Sequence, residues 1–493
     1  MNTEKCWMEE ALKTPKLEPQ LPTTVEGCHD FIRSLLNTVS ELFNRIEKLE
    51  NDNKKLLQEN KELKDRLKIN SSNSSLSPSK DLKKKKKAKK VSKNKSGGQK
   101  GHQGHFRELI DSIEVDSIVK CNLPDLCWCG KEIQLKEDFQ RHQVYELPPV
   151  KLTITEYQLT KGCCIGCSQN HVAPLPEGIT WGITGPKLTA FMSHLVSKYQ
   201  LSRRELKEFL KEHYNFNISL GTIFNKQKIV NSALEVPVGE LLTAVKASSN
   251  VNVDETSHNR DGKKQWMWSI ASSTIAFFSI MNSRGKKVLK SLMADYRYVV
   301  TSDRYAAYNC FDSDKRQICW AHLKRDFTRL SEKEDKVCSR IGKILLQCEA
   351  GLFKNWHEFK QSKITRDELL RKSQPIRQRV GELLEQGSYT DPLLKIARFC
   401  KNLLSIFNAL WTFLSVEQIE PTNNHAERCL RPIVTWRKKY FGTRSDYGSE
   451  FVARTASIRM TCQLQSKNTF QFLQLILQSY FDKKQNPSLL LMA

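Results

Sequence analysis

The amino-acid sequence predicts a multidomain α+β protein. Its 493 residues exceed one ordinary domain and correspond to about three or four folding units. A seven-residue leucine repeat near the start is typical of a coiled coil. Farther along, apolar residues recur with helical spacing, then from position 249 with strand-like spacing, and then with helical spacing again. Each change of period predicts a boundary between units.

The composition points to a polyanionic partner. Lys and Arg number 79 against 54 Asp and Glu, a formal net charge of +25, which favours nucleic acid. The most apolar stretch, Ile270–Met281, is shorter than the ~20 residues of a membrane-spanning helix, and the first residues lack the apolar core of a secretory signal. Fifteen scattered cysteines fit a reducing compartment. We therefore expect a cytoplasmic, nucleoid-associated protein with no membrane partner.

Residues 28–69 carry the leucine repeat and are expected to form a coiled coil that joins two or more copies of the chain. One core position of the heptads is occupied by Leu35, Leu42, Leu49, Leu56 and Leu63. The other core position includes Asn53 and Asn60, which favour a parallel two-stranded register because their amides pair only when the chains are aligned. The alternative is an amphipathic helix that packs on its own chain.

Residues 70–110 are expected to be a disordered linker rich in Lys and Gly. Lys80–Lys95 contains ten Lys and one Asp, a density of like charge that resists compaction and binds phosphates without sequence preference. The glycine-rich stretch Ser96–His105 follows, and it suits either a hinge or a loop close to phosphate.

Residues 111–178 contain two pairs of cysteines and are expected to form a zinc ribbon-like module around a structural Zn²⁺. The expected ligands are Cys127, Cys129, Cys164 and Cys167. Alternating residues at 144–147 and 152–159 predict strands between the pairs, and four thiolates make a closed tetrahedral site. The first pair has an unusual one-residue gap, so Cys121 or Cys163 is an alternative ligand, and free cysteines are the plainer interpretation.

Residues 185–245 show helical spacing with basic side chains. Ser202 precedes Arg203 as a helix N-cap, and Asn217–Gly221 separates this helix from the next. Two short helices joined by a turn suggest a helix-turn-helix, the DNA-binding part of the chain. A helical hairpin used only for packing would show the same pattern.

Residues 249–329 give strand and helix signals in the order β-β-β-α-β-α-β. Asp254 closes the first predicted strand and Asp303 closes the fourth. These strands are neighbours in an RNase H-like α/β sheet, so we expect the two carboxylates to lie side by side. Adjacent carboxylates resist joint ionisation unless a cation accompanies them, and oxygen ligands suit Mg²⁺ or Mn²⁺. Either acid alone would more often be an ordinary surface acid.

A third carboxylate is needed to complete a metal-dependent site for phosphoryl transfer. Glu427 is the best candidate, because Asn423, Glu427 and Leu430 have the spacing of one helix face, and the helix belongs to residues 417–481, the expected second part of the core. Basic residues that are expected to bind a phosphate backbone follow: Arg431, Arg437, Lys438, Lys439 and Arg444. Between the two parts of this core, leucines at helical spacing over 330–416 predict an all-helical insertion.

Several long motifs follow one another in an order typical of one family of enzymes. They are Val253–Thr256, Ser302–Tyr308, Cys319–Arg325, Asn423–Pro432 and Arg437–Lys439, preceded by Gly97–His102 and the cysteine pairs. On these motifs the chain resembles a DDE transposase of the insertion-sequence-66 family, in the RNase H-like superfamily. The resemblance covers nearly the whole chain from the coiled coil onward. The gap in the first cysteine pair departs from the family's more usual spacing.

The resemblance implies a catalytic triad and its reaction. Asp254, Asp303 and Glu427 would bind Mg²⁺ or Mn²⁺, water would cut DNA at the ends of a mobile element, and the freed 3′-hydroxyl would attack target DNA. Further expected DNA contacts are His322, Lys324 and Arg325. The implied partners are double-stranded DNA from the element ends and the target, further copies of the chain, and accessory proteins of the same element.

Two other functions are compatible with these residues. In a dimeric DNA-binding regulator the core would be only a scaffold, but a regulator does not need a third carboxylate on a basic helix. A metal-dependent nuclease without strand transfer differs from a transposase only through the family resemblance. For His322, a local hydrogen bond is the alternative to a contact with DNA.

Overall fold

The computed structural model of the chain describes residues 22–74, 81, 103, 107–134, 139–390 and 395–490. The predicted linker at 70–110 lies mostly outside these residues. Within them the chain is a mixed α+β protein, as the sequence predicts. No helix in this part has both the length and the apolar character to cross a membrane.

A long helix, α1 (Val25–Leu67), opens the described part of the chain. None of its side chains is buried, and the apolar residues of the heptads are open to solvent, with Leu42 and Leu49 exposed to 52% and 63%. A continuous apolar stripe of this length is unfavourable in water. The helix therefore presents a surface that a partner would cover.

The end of α1 contacts a helical segment from a distant part of the chain. Asp65 pairs with Lys333 at 3.2 Å, and Glu62 pairs with Lys395 at 2.9 Å. Just beyond the helix, the Asn73 side chain donates a hydrogen bond to a carboxylate of this segment at 2.6 Å. Charged and polar contacts therefore join the helix to the rest of the protein.

The cysteine-containing region has less regular structure than the sequence predicts. Its hairpin consists of β1 (Lys161–Cys163) and β2 (Asn170–Val172), which pair antiparallel. The strands predicted at 144–147 and 152–159 are wrong, because the chain there forms no strand. Alternating apolar residues form a strand only where another part of the protein covers their apolar side, and Ile154 in this stretch is 91% exposed.

Four helices follow, in agreement with the helical spacing at 185–245. They are α2 (Pro186–Ser197), α3 (Arg203–Tyr214), α4 (Leu220–Ala233) and α5 (Glu235–Ala247). Ser202 is the N-cap of α3, as predicted, and its hydroxyl accepts a hydrogen bond from the Glu205 N–H at 3.1 Å. The helices α3 and α4 are joined by a short turn, and they pack through Leu206, Leu210 and Ile223.

A five-stranded mixed sheet forms the centre of the molecule. Its elements are β3 (Asn250–Arg260), β4 (Lys263–Ala271), β5 (Ala276–Met281), α6 (Lys286–Leu292), β6 (Val299–Ser302) and β7 (Arg316–Ile318). The strand order is β5-β4-β3-β6-β7, with β3, β4 and β5 antiparallel and β6 and β7 parallel to β3 and to each other. The strands predicted to carry Asp254 and Asp303 are therefore neighbours.

Two details of the sheet differ from the prediction. Asp254 does not close its strand, because β3 continues to Arg260 and turns through Asp261 and Gly262 into a hairpin with β4. The helix expected between the fourth and fifth strands is replaced by two 3₁₀ turns, Ala306–Cys310 and Ser313–Lys315.

The segment after β7 is all-helical over the described residues up to position 416, as predicted. It comprises α7 (Trp320–Ser331), α8 (Lys336–Lys360), α9 (Arg366–Ser388), α10 (Ile396–Leu404) and the short α11 (Thr412–Ser415). These helices pack around their own apolar core, which includes Trp320, Leu345 and Leu384. The two ends of the segment lie next to each other, since the Trp320 N–H donates a hydrogen bond to the Pro421 carbonyl at 2.9 Å.

The last helices cover the sheet. They are α12 (Asn424–Tyr440), α13 (Asp446–Leu464) and α14 (Thr469–Phe481). One face of the sheet packs on α12 and α13 through residues such as Phe278 and Leu430, and the other packs mainly on α5, α6 and α14. After α12, Gly442 adopts φ +117° against the backbone of Asn259, where a Cβ atom would collide.

Candidate active site

Two acidic side chains lie where β3 and β6 stop pairing. The parallel register ends with Asn252 opposite Thr301, so Asp254 and Asp303 each lie two positions beyond the last pair. Asp303 Oδ1 accepts a hydrogen bond from the Tyr305 N–H at 2.9 Å, which turns the chain away from β6. The two carboxylates therefore belong to the same edge of the parallel pair.

Glu427 lies in the first turn of α12, and Asn423 fixes this helix against β3. Asn423 is fully buried. Its Nδ2 donates to the Val253 carbonyl at 2.8 Å, and its Oδ1 accepts from Asn252 Nδ2 at 3.0 Å. Since both partners directly precede Asp254, these bonds set the position of the helix relative to that carboxylate.

The start of α7 surrounds Glu427 with further ligand atoms. Atoms of Cys319, His322 and Glu427 lie within 4.8 Å of one another. His322 Nδ1 is 3.6 Å from Glu427 Oε1, and an Arg325 nitrogen is 3.9 Å from Oε2. Burial, reinforced by Arg325, lowers the pKa of His322 and so favours the neutral imidazole, while Asp303 and Glu427 act in the opposite direction. Neither His322 Nδ1 nor Glu427 Oε1 makes a hydrogen bond, although both atoms are buried.

Four carboxyl groups form what we call the acidic cluster: Asp254, Glu255, Asp303 and Glu427. Burial raises the pKa of Asp254 well above its usual range, and the other three carboxylates raise it further. Acids from three separate segments are therefore close enough to oppose ionisation of Asp254. Burial also raises the pKa of Glu255 to about 7, although the Tyr308 hydroxyl counteracts it by donating a 2.5 Å hydrogen bond.

A buried arginine supports the backbone at Asp303. Arg316 is only 1% exposed; its Nη2 donates to the Asp303 carbonyl at 2.8 Å and its Nη1 to Asn309 Oδ1 at 2.7 Å. Burial lowers the pKa of Arg316 to about 10, so the guanidinium stays charged at neutral pH. The arginine therefore fixes the main chain that carries Asp303.

The donor set of the acidic cluster fits a divalent cation. Carboxylate oxygens are the ligands that Mg²⁺ and Mn²⁺ prefer. A bound cation would offset the repulsion between Asp254 and the neighbouring carboxylates. Glu427 Oε1 is a buried ligand atom without a hydrogen bond. In the described part of the chain, however, Asp254, Asp303 and Glu427 do not form a group whose ligand atoms all lie within 4.8 Å of one another.

Comparison with known families relates this arrangement to a class of proteins. A family model described as "Transposase IS66 family" matches residues 182–450, more than half of the 493 residues. The chain belongs to the IS66 family of transposases. The matched range contains the whole acidic cluster. A second model, a family of unknown function (DUF6444), matches residues 32–108.

A curated relative of this IS66-family chain is the uncharacterised protein y4qI of Sinorhizobium fredii (strain NBRC 101917 / NGR234). The two are 23% identical over 266 residues, which cover 49% of this chain and 49% of the relative. The chain thus spans about half the length of the curated relative that it matches. The relative's name assigns it no activity, so the family model is the comparison that bears on function.

The residues of this IS66-family chain that are predicted to contact DNA differ in their exposure to solvent. Arg431, Lys438 and Arg444 are exposed to solvent. Arg437 is half-buried and donates hydrogen bonds to β3, including one to Ser257 Oγ at 2.7 Å. It therefore also ties α12 to the sheet.

Two of the expected lysine contacts are held in ion pairs. Lys439 lies 3.2 Å from a carboxylate oxygen of Glu205 on α3, and Lys324 lies 2.9 Å from Glu349 on α8. Their charge is partly neutralised, so the exposed basic residues present the stronger attraction for phosphate.

The predicted zinc ligands form two separate turns. The Gly130 N–H donates to the Cys127 carbonyl, and the turn at Cys164 connects β1 to β2. Hydrogen bonding from the Cys129 backbone lowers the pKa of Cys127, and hydrogen bonding from the Cys167 backbone lowers that of Cys164. Among the described residues, no three of the four thiols lie within 4.8 Å of one another. The zinc site stays a prediction.

Sequence reasoning missed the polar residues that position the acids. Glu255 follows Asp254 directly. A second acidic residue at this point of a strand was the signal that could have identified a further buried acid. Arg316 lies in a short strand that is otherwise suited to burial, which is an unusual place for a charge. The hydrogen bonds of Asn252 and Tyr308 depend on long-range contacts, and no local pattern predicts them.

Proposed function

We propose that this chain is a divalent-metal-dependent DNA transposase that cuts the ends of a mobile element and joins the freed 3′ ends to target DNA. The observation that supports this most strongly is the acidic cluster, in which burial raises the pKa of Asp254 and Glu255, Asp303 and Glu427 raise it further. Buried carboxylates that repel one another are unfavourable without a cation, so their assembly favours a functional site.

The core of this proposed enzyme is RNase H-like. Three antiparallel strands followed by two parallel strands, with helices on both faces, support this assignment. The domain division predicted from the sequence is part of the proposal: catalytic segments at 249–329 and 417–481 with a helical insertion at 330–416 between them. The helices at 185–245 would bind DNA as a helix-turn-helix.

Mg²⁺ or Mn²⁺ would be held by Asp254, Asp303 and Glu427. Such ions polarise a phosphodiester and offset the charge that develops on its oxygens. Where the acids of a site would hold more than one ion between them, not all of their ligand atoms need to lie close together. This agrees with the absence of a three-acid group within 4.8 Å among the described residues.

The reaction proposed for this site consists of two in-line displacements at phosphorus. In the first, water attacks, the P–O3′ bond breaks and a 3′-hydroxyl is released. In the second, that hydroxyl attacks a phosphodiester of target DNA, so that a new P–O bond forms while the P–O3′ bond of the target strand breaks and releases the target's 3′-hydroxyl. The protein holds the reacting groups in place and forms no bond to DNA. His322, whose Nδ1 lies 3.6 Å from Glu427 Oε1, would hydrogen-bond a phosphate or leaving oxygen.

The surroundings of the site suit double-stranded DNA as the substrate. The exposed charges of Arg431, Lys438 and Arg444 follow Glu427 along α12 and its terminal loop, where they would attract the phosphate backbone. The exposed apolar stripe of α1 would pair with a second copy as a parallel coiled coil. Accessory proteins of the same element are further proposed partners, and Cys127, Cys129, Cys164 and Cys167 would bind a structural Zn²⁺.

A strand-transfer assay tests the assignment of the three acids. Asp254→Asn, Asp303→Asn and Glu427→Gln each remove one charge with little change in size, so each should abolish cutting and joining of an element-end duplex in Mg²⁺. DNA binding, measured by fluorescence anisotropy, should persist in all three. Asp312→Asn, an exposed acid in the loop between β6 and β7, is the matched control and should keep full activity.

The products distinguish this enzyme from other functions. Joined products support a transposase, cleavage without joining indicates a nuclease, and binding without cleavage indicates a regulator. Strand transfer that persists in any one of the three acid variants would contradict the role of that residue.

A further inference from the structure

A cleft of about 590 Å³ lies beside the end of α12. It is bounded by the start of α3, by α4, by the last turn of α12 and by the loop that leads into α13. We call it the aromatic cleft, since four of the side chains that line it are Phe224, Trp436, Tyr440 and Tyr447. Its size falls within the range of small-molecule sites in proteins.

The charges of the aromatic cleft have one sign. Arg203, Arg204 and Arg444 line it, and none of its described lining residues is Asp or Glu. All three arginines are exposed to solvent. The nearby carboxylate of Glu205 is paired with Lys439 at 3.2 Å. The cleft is therefore complementary to an anionic ligand.

The rings of the cleft lie in pairs, and part of each ring is open to solvent. Trp436 and Tyr440 have centroids 5.6 Å apart, and Phe224 and Tyr447 have centroids 6.2 Å apart. All four side chains are only partly buried. The Arg203 guanidinium lies 4.8 Å from the centre of the Phe224 ring, a distance typical of a cation–π contact. Planar bases stack on partly exposed rings of this kind.

The cleft lies along the same helix as the proposed active site. Trp436 follows Glu427 by nine positions in the sequence, which corresponds to ~13.5 Å along a helix axis. That length equals about four base steps of one DNA strand. Nine positions also rotate the helix by about half a turn, so a strand held at the acidic cluster would pass around α12 to present a base to the cleft.

We propose that the aromatic cleft binds an unpaired nucleotide of the DNA strand that is held at the acidic cluster. The base would stack on Trp436 and Tyr440, and the arginines would contact its phosphate. A base that leaves the duplex loses its stacking and pairing, and aromatic rings restore part of that energy. This inference rests on the proposed function, because it takes DNA as the substrate.

Fluorescence of 2-aminopurine tests the proposal with the full chain carrying Asp254→Asn, which prevents cutting. The probes are a short duplex with a single-stranded overhang that contains 2-aminopurine, and the same sequence fully paired. Stacking in the cleft should quench the overhang probe. Trp436→Ala should weaken its binding by roughly 5- to 150-fold, while Trp436→Phe retains most of the affinity. Trp181→Ala, which removes an exposed tryptophan outside the cleft, should bind as the parent does.

A second variant tests the proposal even if the Trp436→Ala protein misfolds. Arg204→Ala combined with Arg444→Ala changes only exposed side chains, and it should weaken binding of the overhang more than binding of the paired duplex. Photocross-linking of a 5-iodouracil overhang should label Trp436 or Tyr440. Cross-links that all map outside the cleft, or equal affinity of the Trp436→Ala protein for the overhang, would overturn the proposal.

The two proposals fail in different ways. If the acid variants abolish cutting but the overhang binds elsewhere, the nucleotide site is wrong and the transposase assignment stands. If the overhang binds in the cleft while the acid variants still cut and join DNA, the catalytic assignment is wrong and the cleft remains a nucleotide site.

Discussion

Replacing Glu255 with Gln is expected to remove a pH dependence from the stability of the metal-free protein. The Glu255 side chain is 5% exposed. Burial is the largest cause that raises its pKa from 4.5 to about 7, Asp303 adds to the rise, and Tyr308 and Arg284 oppose it. The folded protein thus keeps a proton that the unfolded chain releases at lower pH.

The sign and size of the effect follow from this pKa difference. Because the folded state binds the proton more tightly, the contribution of Glu255 to the free energy of unfolding is fully present below pH 4.5 and is lost as the pH rises to about 7. The interval of about 2.5 pH units, at 1.36 kcal/mol per unit, corresponds to about 3 kcal/mol. Glu255→Gln retains a side-chain oxygen to accept the hydrogen bond of the Tyr308 hydroxyl, and it has no proton to lose.

Urea denaturation in a chelator, across this pH range, measures the difference. The wild-type protein should lose about 3 kcal/mol more than the Glu255→Gln variant between pH 4.5 and pH 7. Glu212→Gln, which removes an exposed carboxylate on α3, should keep the wild-type slope. Equal slopes for the wild-type and Glu255→Gln proteins would refute the reasoning.

Three further predictions concern other parts of the molecule. Leu42→Asp places a charge in the exposed stripe of α1 and should convert an oligomer into a monomer in sedimentation experiments; unchanged association would contradict the coiled coil. Gly442→Ala should lower the free energy of unfolding by about 1–3 kcal/mol, because its positive φ and close backbone neighbour exclude a side chain. Gly239→Ala, in an open helical position, should instead stabilise the protein by up to about 1 kcal/mol. Arg316→Met leaves the Asp303 carbonyl without its buried donor and should cost about 1–3 kcal/mol and reduce DNA cutting, but not DNA binding.

Local patterns were sufficient to predict much of the fold. The heptads predicted the helix α1, the N-cap at Ser202 is where the sequence placed it, and the strands that carry Asp254 and Asp303 are neighbours. The neighbouring strands follow from the strand order expected of an RNase H-like sheet, whereas the helix and its N-cap depend on residues close together in sequence. The helical character of the segment after β7 was predictable for the same reason.

Features that depend on distant contacts were not predictable. The residues after Val253 are mostly polar, so the sequence did not indicate that β3 continues beyond Asp254. The hairpin turn was recognisable, because Asp-Gly, here Asp261-Gly262, is common in such turns. The alternation at 144–147 predicted a strand, but that stretch has no partner surface. The hydrogen bonds of Asn423 to β3 join residues about 170 positions apart, so the sequence could identify the helix of Glu427 but not what fixes it.

The helical segment that starts and ends beside Trp320 and Pro421 also bears on when the protein becomes active. Asp254 and Asp303 leave the ribosome well before Glu427, since chains are made from the N-terminus. Glu427 can join them only after more than a hundred intervening residues have been synthesised and closed into a loop, a slow kind of contact to form. A growing chain therefore holds an incomplete set of acids until the residues beyond the helical segment are made, which would delay the proposed DNA cutting until that point.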